Sequence, residues 1–214
     1  MNTLIIFDFD GVIVNTERTT FEFYKEILPA YGIQLTEVDF RYKAGRKSVD
    51  FFRDVLGEKF DMGLVTTLIE KKRETFLADI PKFLKPLPGI FDLLEESKRS
   101  GLKLAIGSQN EKLLIQKAVD VFKIRHYFDF MTSLQDIQKK KPDPEVFLLV
   151  SSTMGIPPHE SIVIEDSPSG IEAAGRGGFA SVGITTSFSR KDLGHATKVI
   201  DTLTELTPDI LINL

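Results

Sequence analysis

The sequence predicts an α/β protein, a doubly wound and mostly parallel sheet with an all-helical domain inserted after the first strand. Three observations carry that reading. Short apolar runs of strand length recur along the chain, and amphipathic helical stretches lie between them. One interval, from Thr16 to about Phe83, has helical periodicity and no convincing strand. Strands alternating with helices of this length build right-handed βαβ units.

The strand candidates, in order, are Leu4–Phe9, Leu102–Ile106, Phe128–Thr132, Ser161–Ile164 and Ala180–Ile184. The clearest are apolar on both faces, as strands inside a parallel sheet should be. Between them, Ile90, Leu93, Leu94 and Lys98 follow a start at Pro88-Gly89. Leu113, Leu114, Ala118, Val121 and Phe122 follow Asn110. Val146, Phe147, Val150 and Met154 follow Pro142-Asp143-Pro144, and Ile171, Ala173 and Ala174 follow Ser167-Pro168. In the strand-free interval, Phe21, Tyr24, Lys25 and Leu28 share one helical face. Val49, Phe52, Arg53 and Leu56 share a second, and Leu64, Leu68, Lys72 and Phe76 a third. A helical block of ~65 residues is too long for an ordinary crossover. The expected division is therefore a core of residues 1–15 and 84–214 and a helical insertion of residues 16–83, entered near Asn15 and left near Pro86-Leu87-Pro88-Gly89.

Composition narrows the function. The 214 residues suffice for one large domain, or one carrying an insertion. Apolar residues at 42% and charged residues at 27% exclude wholesale disorder. A formal charge of −4 argues against a general nucleic-acid binder. With no cysteine, there are no disulfides, thiolate nucleophiles or Cys-type zinc sites. The three histidines, His126, His159 and His195, have no i, i+4 pairing. Met1-Asn2-Thr3 runs straight into Leu4 without a signal-peptide pattern, and no run approaches the ~20 apolar residues of a membrane span. The expectation is a cytoplasmic monomer with neither nucleic-acid nor membrane partners.

The chemistry gathers at strand ends. Asp8 and Asp10 leave the first strand at i and i+2, and Gly11 follows. The same spacing on extended chain points both acids one way. The C-terminal edge of a doubly wound sheet is where ligands bind. Glu165-Asp166 directly follows the apolar Ile162-Val163-Ile164, and Ser167-Pro168 then reads as a helix N-cap and first helical residue. If the first strand and the Ser161–Ile164 strand are neighbours, Asp8, Asp10, Glu165 and Asp166 form one carboxylate cluster. Such a cluster repels itself unless a hard cation sits in it, and oxygen ligands without His or Cys suit Mg²⁺. Gly107-Ser108-Gln109-Asn110 offers either a turn capping the next helix or a hydroxyl with helix N-terminal amides for a phosphate. In Lys139-Lys140-Lys141-Pro142, a lysine run is usually a solvated face, but Pro142 fixes a helix start and gives Lys141 a direction.

The order of these segments resembles the haloacid dehalogenase-like superfamily, in its phosphatase and phosphoglucomutase-like branch. The matching segments are Phe7–Glu17 (FDFDGVIVNTE), Leu104–Asn110 (LAIGSQN), Lys141–Phe147 (KPDPEVF) and Val163–Ala174 (VIEDSPSGIEAA). The resemblance implies a Rossmann-like core with a helical cap, and the first and Ser161–Ile164 strands side by side. It implies that Asp8 is the nucleophile forming an aspartyl phosphate, and Asp10 the general acid and base. Asp8, the Asp10 carbonyl and Asp166 would hold Mg²⁺, with Glu165 a ligand or just behind it. Gly11, Ser108, Gln109 and Asn110 would surround the phosphoryl group, and Lys141 would neutralise its charge and orient Asp8.

Some positions depart from the family's pattern. Asn15 stands where the family usually has Asp, and Gly175-Arg176-Gly177-Gly178 replaces a more Ala-rich helix end. Thr20 stands where the mutase branch carries a histidine. A phosphonate hydrolase would need a cap lysine, for which Lys43 or Lys47 are the candidates. The turn Lys43-Ala44-Gly45-Arg46-Lys47 is either solvated or supplies Arg46 and Lys47 to a substrate. The expected function is a Mg²⁺-dependent phosphatase acting on a small phosphate ester, a sugar phosphate. The alternatives are a β-phosphoglucomutase-type transferase and a catalytically silent binding module.

Overall fold

A computed structural model describes residues 1–39 and 48–214. Along the chain the strands are β1 (Leu4–Phe7), β2 (Val14–Asn15), β3 (Lys85–Pro86), β4 (Lys103–Gly107), β5 (Phe130–Thr132), β6 (Ser161–Glu165), β7 (Ala180–Ile184) and β8 (Lys198–Ile200). The helices are α1 (Glu17–Ile27), α2 (Ser48–Leu56), α3 (Met62–Ala78), α4 (Ile80–Phe83), α5 (Ile90–Arg99), α6 (Lys112–Val121), α7 (Glu145–Met154), α8 (Pro168–Arg176) and α9 (Pro208–Asn213). The chain divides into two compact units, Met1–Asn15 with Pro86–Leu214, and Thr16–Lys85.

In the larger unit, the described residues form a six-stranded sheet in the order β5-β4-β1-β6-β7-β8. The sequence predicts a mostly parallel sheet; every pairing in it is parallel. β1 lies at the centre because it is apolar and fully buried on both faces, Leu4-Ile5-Ile6-Phe7. Leu4 and Ile6 face Val146, Phe147 and Val150 of α7 and Ala173 and Ala174 of α8 in one core cluster. Each large side chain buried there contributes about 1.5–3 kcal/mol. The chain starts mid-sheet, builds to one edge and returns to build the other, so the order reverses at β1. Phe7 pairs with Ile106 on one side and Ile164 on the other, which brings the ends of β1, β4 and β6 level.

The three-residue edge strand β8 has no counterpart among the predicted strands. It alternates Lys198, Val199 and Ile200 in too short a span for periodicity to register. α9 is also absent from the sequence reading. It is tied down by Asn2, whose backbone N–H donates to Ile212 O at 2.9 Å and whose side-chain Nδ2 donates to Leu211 O at 2.8 Å.

The smaller unit has an aromatic core. Tyr24 meets Phe23 and Phe52 edge-on, Phe51 meets Phe52, and Phe23 meets Phe76, which stacks on Phe83. All three expected faces are shifted. In α1 Phe23 is buried with Phe21, Tyr24 and the adjoining Leu28 while Lys25 is exposed. In α2 the buried residues include Phe51, Phe52 and Leu56 while Arg53 is exposed; in α3 Val65, Leu68 and Phe76 are buried and Leu64 is only half-buried. In α2 the aromatic Phe51 takes the interior place and Arg53 instead lays its guanidinium over Phe60.

Candidate active site

The switch point of the sheet holds the cleft. β1 ends at Phe7, and the Asp8 N–H continues the ladder by donating to Ile164 O at 2.9 Å. The chain then turns sharply. Gly11 has φ +79°, its N–H donates to Val14 O, and the Ile13 and Val14 N–H groups both donate to Phe9 O. A Cβ at Gly11 would lie 1.8 Å from Asp166 Oδ2, so only glycine lets this turn and that carboxylate coexist. Gly170 plays the same part for Glu165, since a Cβ there would lie 1.9 Å from its carboxyl group.

Asp8, Asp10, Ser108, Gln109, Asn110, Lys141 and Glu165 all line one cleft of about 210 Å³, together with Ser167 and Ser169. Lys141 forms part of its wall. Its Nζ donates to Asp8 Oδ1 at 2.7 Å and to Glu165 Oε1 at 2.6 Å, and it lies 4.8 Å from the centre of the Phe147 ring. All three charged side chains are buried, Glu165 to 1% exposure. The other Glu165 oxygen accepts from the Ser167 N–H and hydroxyl. Ser167 also caps α8 by accepting from the Gly170 N–H, with Pro168 in the first turn, as the sequence predicts.

Two local expectations need correction. The helix after Lys141 begins at Glu145, not at Pro142. Glu145 accepts from the Gln138 and Lys139 N–H groups at 2.9 and 2.7 Å and holds the segment before Lys141, while Asp8 and Glu165 hold its ammonium. Neither Ser108 nor Asn110 caps α6. Ser108 Oγ accepts from the Asn110 N–H, and the first helical N–H, of Lys112, is satisfied by Gln135 Oε1. That leaves Ser108, 1% exposed, a proton to donate into the cleft. Gln109 Nε2 is buried with no hydrogen-bond partner among the described residues. Arg46 and Lys47, like Lys43, lie outside the described residues.

Asp8, Glu165 and Asp166 offer carboxylate oxygens within 4.8 Å of one another, all three residues buried. Burial pushes the Asp8 carboxyl up to about 7; Lys141 pulls it down and Glu165 pushes it further up. Burial drives Asp166 well above the ordinary carboxylate range. Glu165, Asp8 and Asp10 add to this, and a hydrogen bond from the Ser187 hydroxyl opposes it. For Lys141, burial works against the charged form, but Asp8 and Glu165 outweigh it and the ammonium is held more firmly than usual. The one ammonium serves Asp8 and Glu165, and Asp166 is met by a neutral hydroxyl. A compact set of oxygen donors with surplus negative charge and no nitrogen or sulfur ligand fits a hard divalent cation. Ser187, in the loop after β7, is a site residue that sequence reasoning missed; a serine in a polar turn carries no signal of its own.

A doubly wound parallel sheet with carboxylates, an ammonium and a hydroxyl converging at its switch point defines a class, an α/β enzyme that handles an anionic substrate beside a carboxylate. The family's sequence model, "haloacid dehalogenase-like hydrolase", matches residues 5–184. The chain belongs to this family of hydrolases. It is 32% identical over 184 residues to a phosphorylated carbohydrates phosphatase of Thermotoga maritima, covering 83% of this chain and 82% of that one. It is 28% identical over 181 residues to a fructose-1-phosphate phosphatase of Escherichia coli, covering 84% and 95%. The crystal structure of a β-phosphoglucomutase from Clostridium difficile superposes with a TM-score of 0.78 at 26% identity, covering 98% of this chain and 95% of that one. Among the described residues no helix is long and apolar enough to cross a membrane.

Proposed function

We propose that the protein is a Mg²⁺-dependent phosphatase that hydrolyses a small sugar phosphate through an aspartyl phosphate on Asp8. The observation that carries this reading is the Lys141 ammonium, fixed between Asp8 and Glu165 on the wall of a cleft shared with Asp10 and Ser108. The names of the two phosphatase relatives, which act on phosphorylated carbohydrates and on fructose 1-phosphate, support the substrate class. As a phosphoric monoester hydrolase of this family, the chain needs a nucleophile, an acid and charge neutralisation, and the cleft holds a candidate for each.

A carboxylate oxygen of Asp8 attacks phosphorus, the ester P–O bond breaks, and Asp10 gives its proton to the departing sugar oxygen. Asp10 then takes a proton from water, whose oxygen attacks the same phosphorus. The P–O bond to Asp8 breaks, and inorganic phosphate and free Asp8 result. Lys141 balances the negative charge spread over the phosphoryl oxygens in both steps, and Ser108 donates to one of them. Asp8, Asp166 and the Asp10 carbonyl would hold Mg²⁺, which when bound neutralises phosphoryl charge. Glu165, with one oxygen on Lys141 and the other on Ser167, holds the lysine in place.

The test is phosphate release from a panel of phosphorylated sugars in Mg²⁺, with Asp8→Asn beside the wild type. Turnover in the wild type and its loss in a folded Asp8→Asn protein are expected. Retention of more than a small fraction of kcat in that variant would overturn the aspartyl-phosphate route. Glucose 6-phosphate formed from β-glucose 1-phosphate much faster than free phosphate, given a trace of the 1,6-bisphosphate, would replace hydrolysis by mutase transfer.

A further inference from the structure

We infer that Ser187 is a positioning residue for the cation site, setting the affinity for Mg²⁺ by holding Asp166; the inference rests on the metal reading above. Asp166 offers a carboxylate oxygen within 4.8 Å of those of Asp8 and Glu165, so its orientation decides whether the three can meet one cation. Two features fix that orientation. The Gly11 turn leaves room for the carboxylate at one place, against the missing Cβ. The Ser187 hydroxyl donates to Oδ2. A hydroxyl carries one donor and adds no charge, so it fixes one oxygen while the remaining carboxylate lone pairs stay available to a cation.

The loop bearing Ser187 is itself fixed from both sides. Before it, the Thr185 N–H donates to Ile200 O at 3.0 Å and the Thr185 hydroxyl to Asp201 Oδ1 at 2.8 Å. After it, Ser189 donates to Asp192 Oδ2 at 2.6 Å, and Arg190 binds both Asp201 Oδ2 and Val199 O. Ser187 thus comes from a braced support on the neighbouring strands β7 and β8, not from a floppy turn. Groups that orient a metal ligand in this way typically govern affinity by about 10–100-fold. Mg²⁺ also demands a tighter geometry than Ca²⁺, so a loosened Asp166 penalises Mg²⁺ more.

The experiment is direct binding of Mg²⁺ and of Ca²⁺ to metal-free protein by titration calorimetry, for wild type, Ser187→Ala and Ser187→Thr. Unfolding temperatures measured without metal show that each variant is folded. Ser187→Ala is expected to bind Mg²⁺ about tenfold or more weakly and to lose less for Ca²⁺. Ser187→Thr, which keeps the hydroxyl, returns Mg²⁺ affinity to the wild-type range; should Ser187→Ala not fold, a Thr variant with weakened Mg²⁺ binding overturns the assignment by itself. Equal Mg²⁺ affinity in wild type and Ser187→Ala overturns the role of Ser187 alone. Absence of Mg²⁺ binding in the wild type overturns the metal reading and this inference with it.

Discussion

Lys141→Ala should destabilise the metal-free protein in a strongly pH-dependent way. The ammonium is 6% exposed and lies 2.7 Å from Asp8 and 2.6 Å from Glu165, which are 12% and 1% exposed. Its removal leaves two buried carboxyl groups with no compensating cation. Breaking a buried pair from one side costs about 3–5 kcal/mol. The protein can reduce that cost by keeping a proton on Asp8, which even with Lys141 present titrates at about 7. A carboxyl whose folded pKa is raised contributes stability that is complete below its ordinary value and is lost as the pH rises through the folded value. Holding such a proton costs about 1.4 kcal/mol for each pH unit above the ordinary value. Below about pH 7 the wild type holds that proton too and bears the same cost, so the two proteins differ least near pH 5; near pH 8, where the wild-type Asp8 is ionised against Lys141, the full cost of about 3–5 kcal/mol applies. Urea denaturation in a chelator, at both pH values, measures the difference between variant and wild type. A loss that is equal at the two pH values, or below about 1 kcal/mol at the higher one, would refute the reasoning. Lys141→Ala combined with Asp8→Asn should recover part of the loss, because the partner charge is then gone.

Mg²⁺ at about 100 times the Kd it has near pH 8 should raise the unfolding temperature by about 5–11 °C there, and the same concentration by much less near pH 5, where protons occupy the same carboxylates; thermal scans with and without the ion check this. Gly11→Ala should abolish that Mg²⁺-induced rise, since its Cβ would take the place of the Asp166 carboxylate and φ is +79°; a full rise in the variant would contradict the packing argument. Asn2→Ala should lose about 1–2 kcal/mol by denaturation, through the lost bond to Leu211 O, and leave kcat and KM unchanged.

Much of the core was legible because burial on both sides writes an uninterrupted apolar run. Ile162-Val163-Ile164 followed by two acids places a strand end and a polar edge in five residues, and the pairing with β1 brings those acids to Asp8. The tilt of single side chains was not legible. Lys141 is held by Asp8, 133 residues away, and by Glu165, 24 residues away, and the spacing of charges along the chain does not encode those contacts. Ser187 was invisible for a related reason, since its partner Asp166 is 21 residues away and meets it only once β6 and β7 pair. In the helical unit, periodicity marks α1, α2 and α3 and misses α4, and it misassigns single neighbours, with Phe23 buried in place of Lys25, Phe51 in place of Arg53 and Val65 in place of Leu64, because a helical period fixes a face only to within a residue or two.

The placement of β1 also has a consequence for synthesis. Leu4 pairs with Lys103 on one side and Ser161 on the other. The most apolar strand thus leaves the ribosome well before either partner exists. At roughly 5–20 residues per second, its second neighbour follows about 8–30 s later. Until β4 is made, about 5–20 s after β1, Leu4-Ile5-Ile6-Phe7 is an unpaired, uncharged segment of the nascent chain, and one side of it stays open until β6 follows, while the helices in between can form from local contacts alone. The same strand that centres the finished sheet is the one a holding chaperone would have most reason to cover during translation.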